Sequence, residues 1–164
     1  MPRWASCHQM DSARSIVEAH AGALRIALIA DSFLRLTGET LVPPNMSPAD
    51  ALWHLPAVVV AHGTEADPVF FYANRMALDL FGFTANEFIC LPSRLSAEPL
   101  AREERARLLT QVAAKGFIAD YTGVRIARSG RRFTIEQATV WNLQDGHGSM
   151  QGQAACFAQW IPLD

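Results

Sequence analysis

Long apolar runs, an excess of charge of one sign and grouped cysteines are all missing from this sequence of 164 residues. The formal net charge is −2 at pH 7, which leaves no basic footprint for nucleic acid or for an anionic membrane surface. The most apolar run, AGALRIALIA, contains Arg25 and ends at Asp31, so it is too short and too charged to span a bilayer. We therefore expect neither nucleic acid nor a membrane as a partner.

Metal-site and catalytic signatures are also missing. Cys7, Cys90 and Cys156 are far apart with no CxxC spacing, which argues against a zinc site or a disulfide framework and predicts free thiols in the cytoplasm. No HExxH, GxSxG or Ser-His-Asp spacing occurs. The scattered histidines are His8, His20, His54, His62 and His147. The sequence thus predicts no metal site and no enzyme.

The remaining sequence supports an ordered domain, since 50% of its residues are hydrophobic. Apolar residues at three- and four-residue steps predict a helix over residues 11–36, which ends at Gly38. Ser47 and Pro48 predict the start of a short helix. The β-branched and aromatic runs at 57–62 and 69–73 predict two strands that pair as a hairpin.

Local structure is specified most densely in the stretch YANRMALDLFGFTANEF, residues 72–88. Asn74 follows a predicted strand and caps the helix RMALDLF, and Gly82 ends that helix in the left-handed conformation. Thr84 and Glu87 form a capping box, and the phenylalanines on either side of it form a hydrophobic staple. The pattern predicts short helices that are held in one place against a sheet.

The second half of the sequence predicts a longer helix that ends at Gly116, followed by three strands joined by glycine-containing turns. The strands are FIADYTGVRIA, RFTIEQATVWNL and QGQAACFAQWI. The expected class is α+β, with a five-stranded antiparallel sheet and short helices on one face. Residues 1–50 are expected to form an N-terminal helical extension and linker, and residues 51–164 the domain.

Several stretches, in this order, resemble the MEKHLA domain, a family related to the PAS domain. They are AHGTEADPVFFYANRMALDLF, LPSRLSAEP, GFIADYTGVRIARSGRRF and VWNL, and the resemblance runs from about Ala51 to the C-terminus. The family occurs at the C-terminal end of plant class III homeodomain-leucine zipper proteins and as small stand-alone bacterial proteins; this sequence resembles the bacterial type. It contains no basic region or heptad seam, so DNA binding is not expected.

The resemblance implies a sensory or protein-interaction domain whose sheet and short helices enclose a cavity for a small ligand. It also implies signalling through a homodimer or a partner protein. PAS domains hold flavin, haem, carboxylic acids or nothing, so the cofactor stays unknown. The candidate cavity residues, from the motif region and from later loop and strand positions, are Tyr72, Asn74, Leu78, Phe81, Arg94, Tyr121, Trp141 and Phe157.

Arg125 lies on a predicted strand, and alternation places it opposite Val124 and Ile126. Its guanidinium is suited to anchoring a carboxylate ligand through two parallel hydrogen bonds. The alternative is an exposed strand arginine, or one paired with Asp120 or Glu136.

Three other functions stay open. A flavin sensor is one. By resemblance to light-sensing PAS domains, Ser93 stands at the position of their adduct-forming cysteine, and Cys90 lies three residues earlier. A small α+β enzyme would need two titratable groups within hydrogen-bond reach in the cavity. A purely structural partner-binding module would have no cavity and an exposed apolar patch on the outer face of the sheet.

Overall fold

The computed structural model of the chain describes residues 5–99 and 102–163, with side chains from residue 12 onward except those of 102 and 105. The helices in the described part are α1 Ala5–Ala21, α2 Ala23–Thr37, α3 Pro48–His54, α4 Arg75–Phe81, α5 Ala85–Phe88 and α6 Arg102–Lys115, with a 3₁₀ turn at Ser93–Ser96. The strands are β1 Val58–His62, β2 Phe70–Ala73, β3 Phe117–Ile126, β4 Arg132–Gln144, β5 Met150–Phe157 and β6 Gln159–Pro162. No helix of this described part is long and apolar enough to cross a membrane.

The strands form one antiparallel sheet in the order β2-β1-β5-β4-β3, and β6 pairs with β4. The predicted α+β class and antiparallel sheet are therefore confirmed. The strand number differs from the expected five, because the last predicted strand breaks at Ala158 into β5 and β6. β5 pairs with both β1 and β4. The pairing with β1 ends at Val58 opposite Phe157, so β6, which follows, pairs with β4 alone.

The N-terminal helical segment is two helices where the sequence predicts one. Gly22 interrupts it with φ 83° and ψ 150°, a conformation that glycine adopts readily and that ends α1. Arg25 then satisfies the end of α1, since Nε donates to the carbonyl oxygen of Ala21 and Nη2 to that of His20, both at 2.7 Å. Periodicity alone did not reveal this break, because the apolar spacing continues across it.

The short helices begin and end as the sequence predicts. Ser47 Oγ accepts from Asp50 N at the start of α3. Gly82 is left-handed, with φ 76°, at the end of α4. At α5, Glu87 N donates to Thr84 Oγ1 at 3.2 Å and Thr84 N donates to Glu87 Oε1 at 3.0 Å, which completes the capping box.

The two faces of the sheet are covered by different parts of the chain. On one face, called the outer face here, α2 packs on β4, and Phe33 meets Trp141 edge-on with ring centroids 4.9 Å apart. The indole Nε1 of Trp141 donates to Ser32 Oγ at 3.0 Å. On the inner face, α4 and α5 contribute Phe81 and Phe88 to an aromatic cluster. Helix α2 thus covers the outer face of the sheet of its own chain.

Candidate ligand-binding site

A cavity of about 150 Å³ lies between the inner face of the sheet and the helices that cover it. All five strands of the main path contribute to its lining, together with α4, the 3₁₀ turn and α6. Much of the lining is apolar and includes Val60, Phe70, Phe81, Ile135, Val140 and Phe157. Such a site gains affinity from the apolar part of a ligand and orientation from a small number of polar groups.

Tyr121 on β3 supplies the first of these polar groups. Its hydroxyl is buried and has no hydrogen-bond partner among the described residues. The ring lies against Gly123, where a Cβ atom would come within 2.7 Å of the tyrosine oxygen. Gly123 therefore leaves the space that the phenol occupies. A buried hydroxyl without a partner costs about 1–3 kcal/mol, so a ligand acceptor at this point would recover stability.

Arg125, two residues after Gly123, also lines the cavity and is half-buried. Its guanidinium carbon lies 5.6 Å from the centroid of the Tyr121 ring, within cation–π range. Its Nη1 donates to the carbonyl oxygen of Val124 at 3.0 Å. In the described part of the chain, no Asp or Glu forms an ion pair with Arg125, so the pairing considered for Asp120 or Glu136 does not occur there.

The 3₁₀ turn closes the cavity opposite the sheet and brings Ser93 and Ser96 to its lining. Ser93 N donates to the Pro68 carbonyl at 2.8 Å, and Ser96 Oγ donates to the Ser93 carbonyl at 2.8 Å. Directly after the turn, Ala97 forms an isolated antiparallel bridge with Arg125. The turn is thereby held to the same strand that carries the guanidinium.

His62 and Gln153 face the cavity from neighbouring positions of β1 and β5, where they form a cross-strand pair. Nδ1 of His62 lies 3.0 Å from the carbonyl oxygen of Gly63, and Gln153 Nε2 donates to Asn142 Oδ1 at 3.3 Å. No side-chain hydrogen bond joins His62, Tyr121 or Arg125 to another of these three within the described residues.

Of the eight candidate residues taken from the sequence, Phe81, Tyr121 and Phe157 line this cavity. The other five lie outside its lining.

Asn74 has a structural role that uses its whole amide. Oδ1 accepts from the backbone N–H groups of Val59 and Ala77, each at 3.1 Å. Nδ2 donates to the carbonyl oxygens of Leu52 at 3.0 Å and Ala57 at 2.7 Å. An asparagine amide has two donors and two main acceptor sites, so these four bonds leave no capacity for a ligand. The side chain instead ties α3, β1 and α4 together.

Leu78, Tyr72, Arg94 and Trp141 are placed by other contacts. Leu78 is buried in the hydrophobic core. Tyr72 is fully buried, its hydroxyl has no partner among the described residues, and burial raises its pKa. Arg94 is exposed and its Nε donates to both carboxylate oxygens of Asp67, at 3.2 and 3.1 Å. Trp141 faces away from the cavity, because it follows Val140 on the strand.

The described thiols do not reach the cavity as reactive groups. Cys90 is exposed and lies outside the lining, whereas Ser93 stands within it. Cys156 is free, and burial raises its pKa to about 12, which keeps it protonated at neutral pH. The side chains of Cys7 and His8 lie outside the described part. No cysteine is among the described residues that line this cavity, so none of them can form a covalent cysteine adduct with a ligand bound there.

A second hollow, of about 660 Å³, is a surface groove between α4, the β3–β4 turn and β6. Three arginines line it, but Arg128 pairs with Glu87 at 3.1 Å and Arg132 pairs with Glu98. These exposed ion pairs provide two of the three guanidinium groups with a carboxylate and are each worth little in stability. The smaller inner cavity is the better candidate site, because among the described residues the buried Tyr121 hydroxyl has no hydrogen-bond partner and the half-buried Arg125 has no carboxylate partner.

The family of the chain follows from comparison with known proteins. A family model described as the MEKHLA domain matches residues 23–162. The chain belongs to the MEKHLA domain family. The chain is similar to two plant proteins, the homeobox-leucine zipper protein HOX29 of Oryza sativa subsp. japonica, 28% identical over 123 residues, and ATHB-14 of Arabidopsis thaliana, 29% identical over 126 residues. The matches cover 73% and 76% of this chain but 14% of each plant protein.

Solved structures place this MEKHLA domain in the PAS-like fold. A PAS domain from Colwellia psychrerythraea aligns with a TM-score of 0.56 at 16% identity, over 66% of this chain and 89% of that one. An RNA-binding light-oxygen-voltage receptor aligns with a TM-score of 0.57 at 20% identity, over 76% of this chain and 35% of that one. At these identities the likeness concerns the fold alone.

The set of candidates taken from the sequence omitted Ser93, Ser96, His62 and Gln153, which also line the cavity, and Arg125 was considered separately as an anchor for a carboxylate. The spacing Tyr121-x-Gly123-x-Arg125 was a usable signal, since residues two apart on a strand share one face. A glycine between an aromatic and a cationic residue on such a face indicates that a side chain lies over it.

Proposed function

We propose that this MEKHLA domain is a sensory module that binds a small molecule in its inner cavity and signals through a change at its N-terminal helices. The observation that carries the proposal is the cavity itself. Its lining is mainly apolar, yet it contains the buried Tyr121 hydroxyl without a partner and the nearby Arg125 guanidinium. Sites that bind small ligands combine these two features.

The size of the cavity supports a small ligand. A volume of about 150 Å³ corresponds to the liquid volume of about five water molecules, and drug-sized ligands occupy about 300–1,000 Å³. A flavin or a haem would require the 3₁₀ turn or α6 to move outward. A purely structural partner-binding module is disfavoured, because α2 already covers β4 on the outer face.

A short path connects the cavity with α2. Val140 lines the cavity, and the next residue, Trp141, contacts Ser32 and Phe33 of α2. A ligand that displaces Val140 therefore shifts the support under α2. We propose a second copy of the chain as the receiver, in contact with the exposed side of α2, where Leu24 is 88% exposed. The free thiols Cys90 and Cys156 support the cytoplasm as the location.

The proposal is tested by native mass spectrometry of the purified protein and by thermal-shift screening with small metabolites. We expect a bound small molecule, or a metabolite that raises the melting temperature and alters amide exchange in α2. The variant Ala155→Leu fills the cavity from β5, while Ala119→Leu adds the same side chain at an exposed position of β3. Binding should disappear in the first and persist in the second. Equal binding by both variants, or no ligand at all, contradicts the proposal.

A further inference from the structure

We infer that the ligand of the inner cavity is a small organic monocarboxylate, held by the guanidinium of Arg125 and the hydroxyl of Tyr121. This inference rests on the proposed function, since it names the chemical class of the molecule that the cavity binds. It follows from the charge, the hydrogen-bonding capacity and the volume of the cavity.

The charge of the lining calls for an anion. Arg125 carries a permanent positive charge, and no aspartate or glutamate of the described residues lines the cavity. The described ion pairs leave Arg125 without a carboxylate, although Arg94, Arg128 and Arg132 each have one. The Arg125 guanidinium therefore has no carboxylate partner among the described residues, and a bound carboxylate supplies that counter-charge.

The donors match a planar carboxylate. A guanidinium has five N–H donors, and among the described residues one of them is used, toward the carbonyl oxygen of Val124. The remaining donors suit the two parallel bonds that arginine forms with a carboxylate. The Tyr121 hydroxyl adds a third donor on the same face of β3, beside the guanidinium. A neutral amide or alcohol would leave the positive charge uncompensated.

The rest of the cavity selects the body of the ligand. Val60, Phe70, Ile135 and Val140 give the cavity a large apolar surface beside these polar groups. Because one permanent positive charge is present, a single carboxylate matches it and a second would be buried without a partner. The volume fits a ligand of about five to eight non-hydrogen atoms, which corresponds to short fatty acids and small keto or branched-chain acids.

The test is a calorimetric titration of the full chain with straight and branched monocarboxylates of two to six carbons. Each acid is paired with its primary amide and alcohol, and inorganic phosphate serves as a second anion. We expect at least one acid to bind, and its amide to bind about 10-fold or more weakly, as for hydrogen bonds to a charged group. Tight binding of phosphate, with none of the acids bound, assigns a different anion and overturns the inference.

Two variants locate the carboxylate. Arg125→Met keeps the length of the side chain and should weaken acid binding about 10- to 100-fold, while Tyr121→Phe removes one oxygen and should weaken it about 5- to 10-fold. Arg131→Met, in the exposed β3–β4 turn, is the matched control and should bind as the parent does. Thermal melting shows whether each variant is folded, and Tyr121→Phe keeps the test decisive if Arg125→Met is unstable.

The outcomes separate the two proposals. Equal affinity for acids and amides, or unchanged acid binding by folded Arg125→Met and Tyr121→Phe, overturns the carboxylate assignment and leaves the sensory module standing. Failure of every acid overturns it as well. If the neutral compounds and the native protein also show no bound molecule, the proposed function fails with it.

Discussion

On the outer face of the sheet, the indole N–H of Trp141 meets the hydroxyl of Ser32 at 3.0 Å, and Ser32 in turn donates to the Leu28 carbonyl at 2.6 Å. On the inner face, the buried hydroxyl of Tyr121 has no partner within the described chain. A completed hydrogen-bond chain stabilises the fold, whereas an incomplete one has a cost that a ligand relieves. The comparison shows that the outer face is tied to α2 by a completed hydrogen-bond chain, whereas the inner face leaves a hydroxyl available for the ligand that we propose.

Replacement of Trp141 by alanine should have the largest effect on the outer face. The side chain is fully buried and packs against Phe33, so its loss should lower the free energy of unfolding by about 3–5 kcal/mol. Chemical denaturation of the parent and of Trp141→Ala measures the difference. Trp160, which is half-buried on β6, gives the matched Trp160→Ala control, for which a smaller loss is expected. Equal losses would contradict the stabilising role assigned to the outer face.

Ser32→Ala removes the acceptor and keeps the aromatic packing. The indole N–H of Trp141 is then buried without a partner, and we expect a loss of about 1–3 kcal/mol in the free energy of unfolding. Thr37, whose hydroxyl donates to the Phe33 carbonyl at the end of α2, gives the comparison Thr37→Ala, which should cost less. A negligible effect of Ser32→Ala would show that the hydrogen bond between Trp141 and Ser32 does not stabilise the outer face.

Cys156, which lies on β5 with its thiol buried, should make the free energy of unfolding depend on pH at alkaline pH. Burial raises the pKa of this thiol from 9.0 to about 12, so the folded state keeps its proton while the unfolded state releases it. Stability is therefore full below pH 9 and falls between about pH 9 and 12, by at most about 1.4 kcal/mol per pH unit. Cys156→Ala should flatten this slope and Cys90→Ala, at an exposed thiol, should not. Denaturation at several pH values distinguishes them.

Tyr121→Phe should not destabilise the empty protein. Because the buried hydroxyl makes no hydrogen bond to the described residues, its removal should leave the free energy of unfolding unchanged or raise it, by at most about 1–3 kcal/mol. Denaturation of the ligand-free protein is the measurement. A loss above 1 kcal/mol would mean that the hydroxyl has a partner in the empty protein, and the contrast between the two faces would then fail.

Local features of the sequence predicted much of the fold. The strand, cap, helix, stop and capping box between residues 70 and 88 are confirmed, as is the start of α3 at Ser47. Each depends on hydrogen bonds between groups a few residues apart, which the residue types themselves indicate. The breaks at Gly22 and Ala158 were missed, because apolar residues continue on both sides of each position.

The candidate site was predicted in part. Phe81, Tyr121 and Phe157 reach the cavity, whereas Asn74 uses its amide on the backbone of three other elements. For Trp141, strand alternation fixed that it opposes Val140, but not which of the two faces α2 would cover. Register irregularities in β3 around Tyr121, and the left-handed Asp120 with φ 59°, also change which side chains share a face.

The residue types and their spacing determined where helices and strands begin and end, because capping, turns and periodicity act over one or two turns of chain. The tertiary structure alone decided that Arg125 and Tyr121 line the same cavity as Val60 and Val140, which lie on other strands. A cavity is defined by what the surrounding elements fail to fill, and this depends on packing between them and not on any one segment.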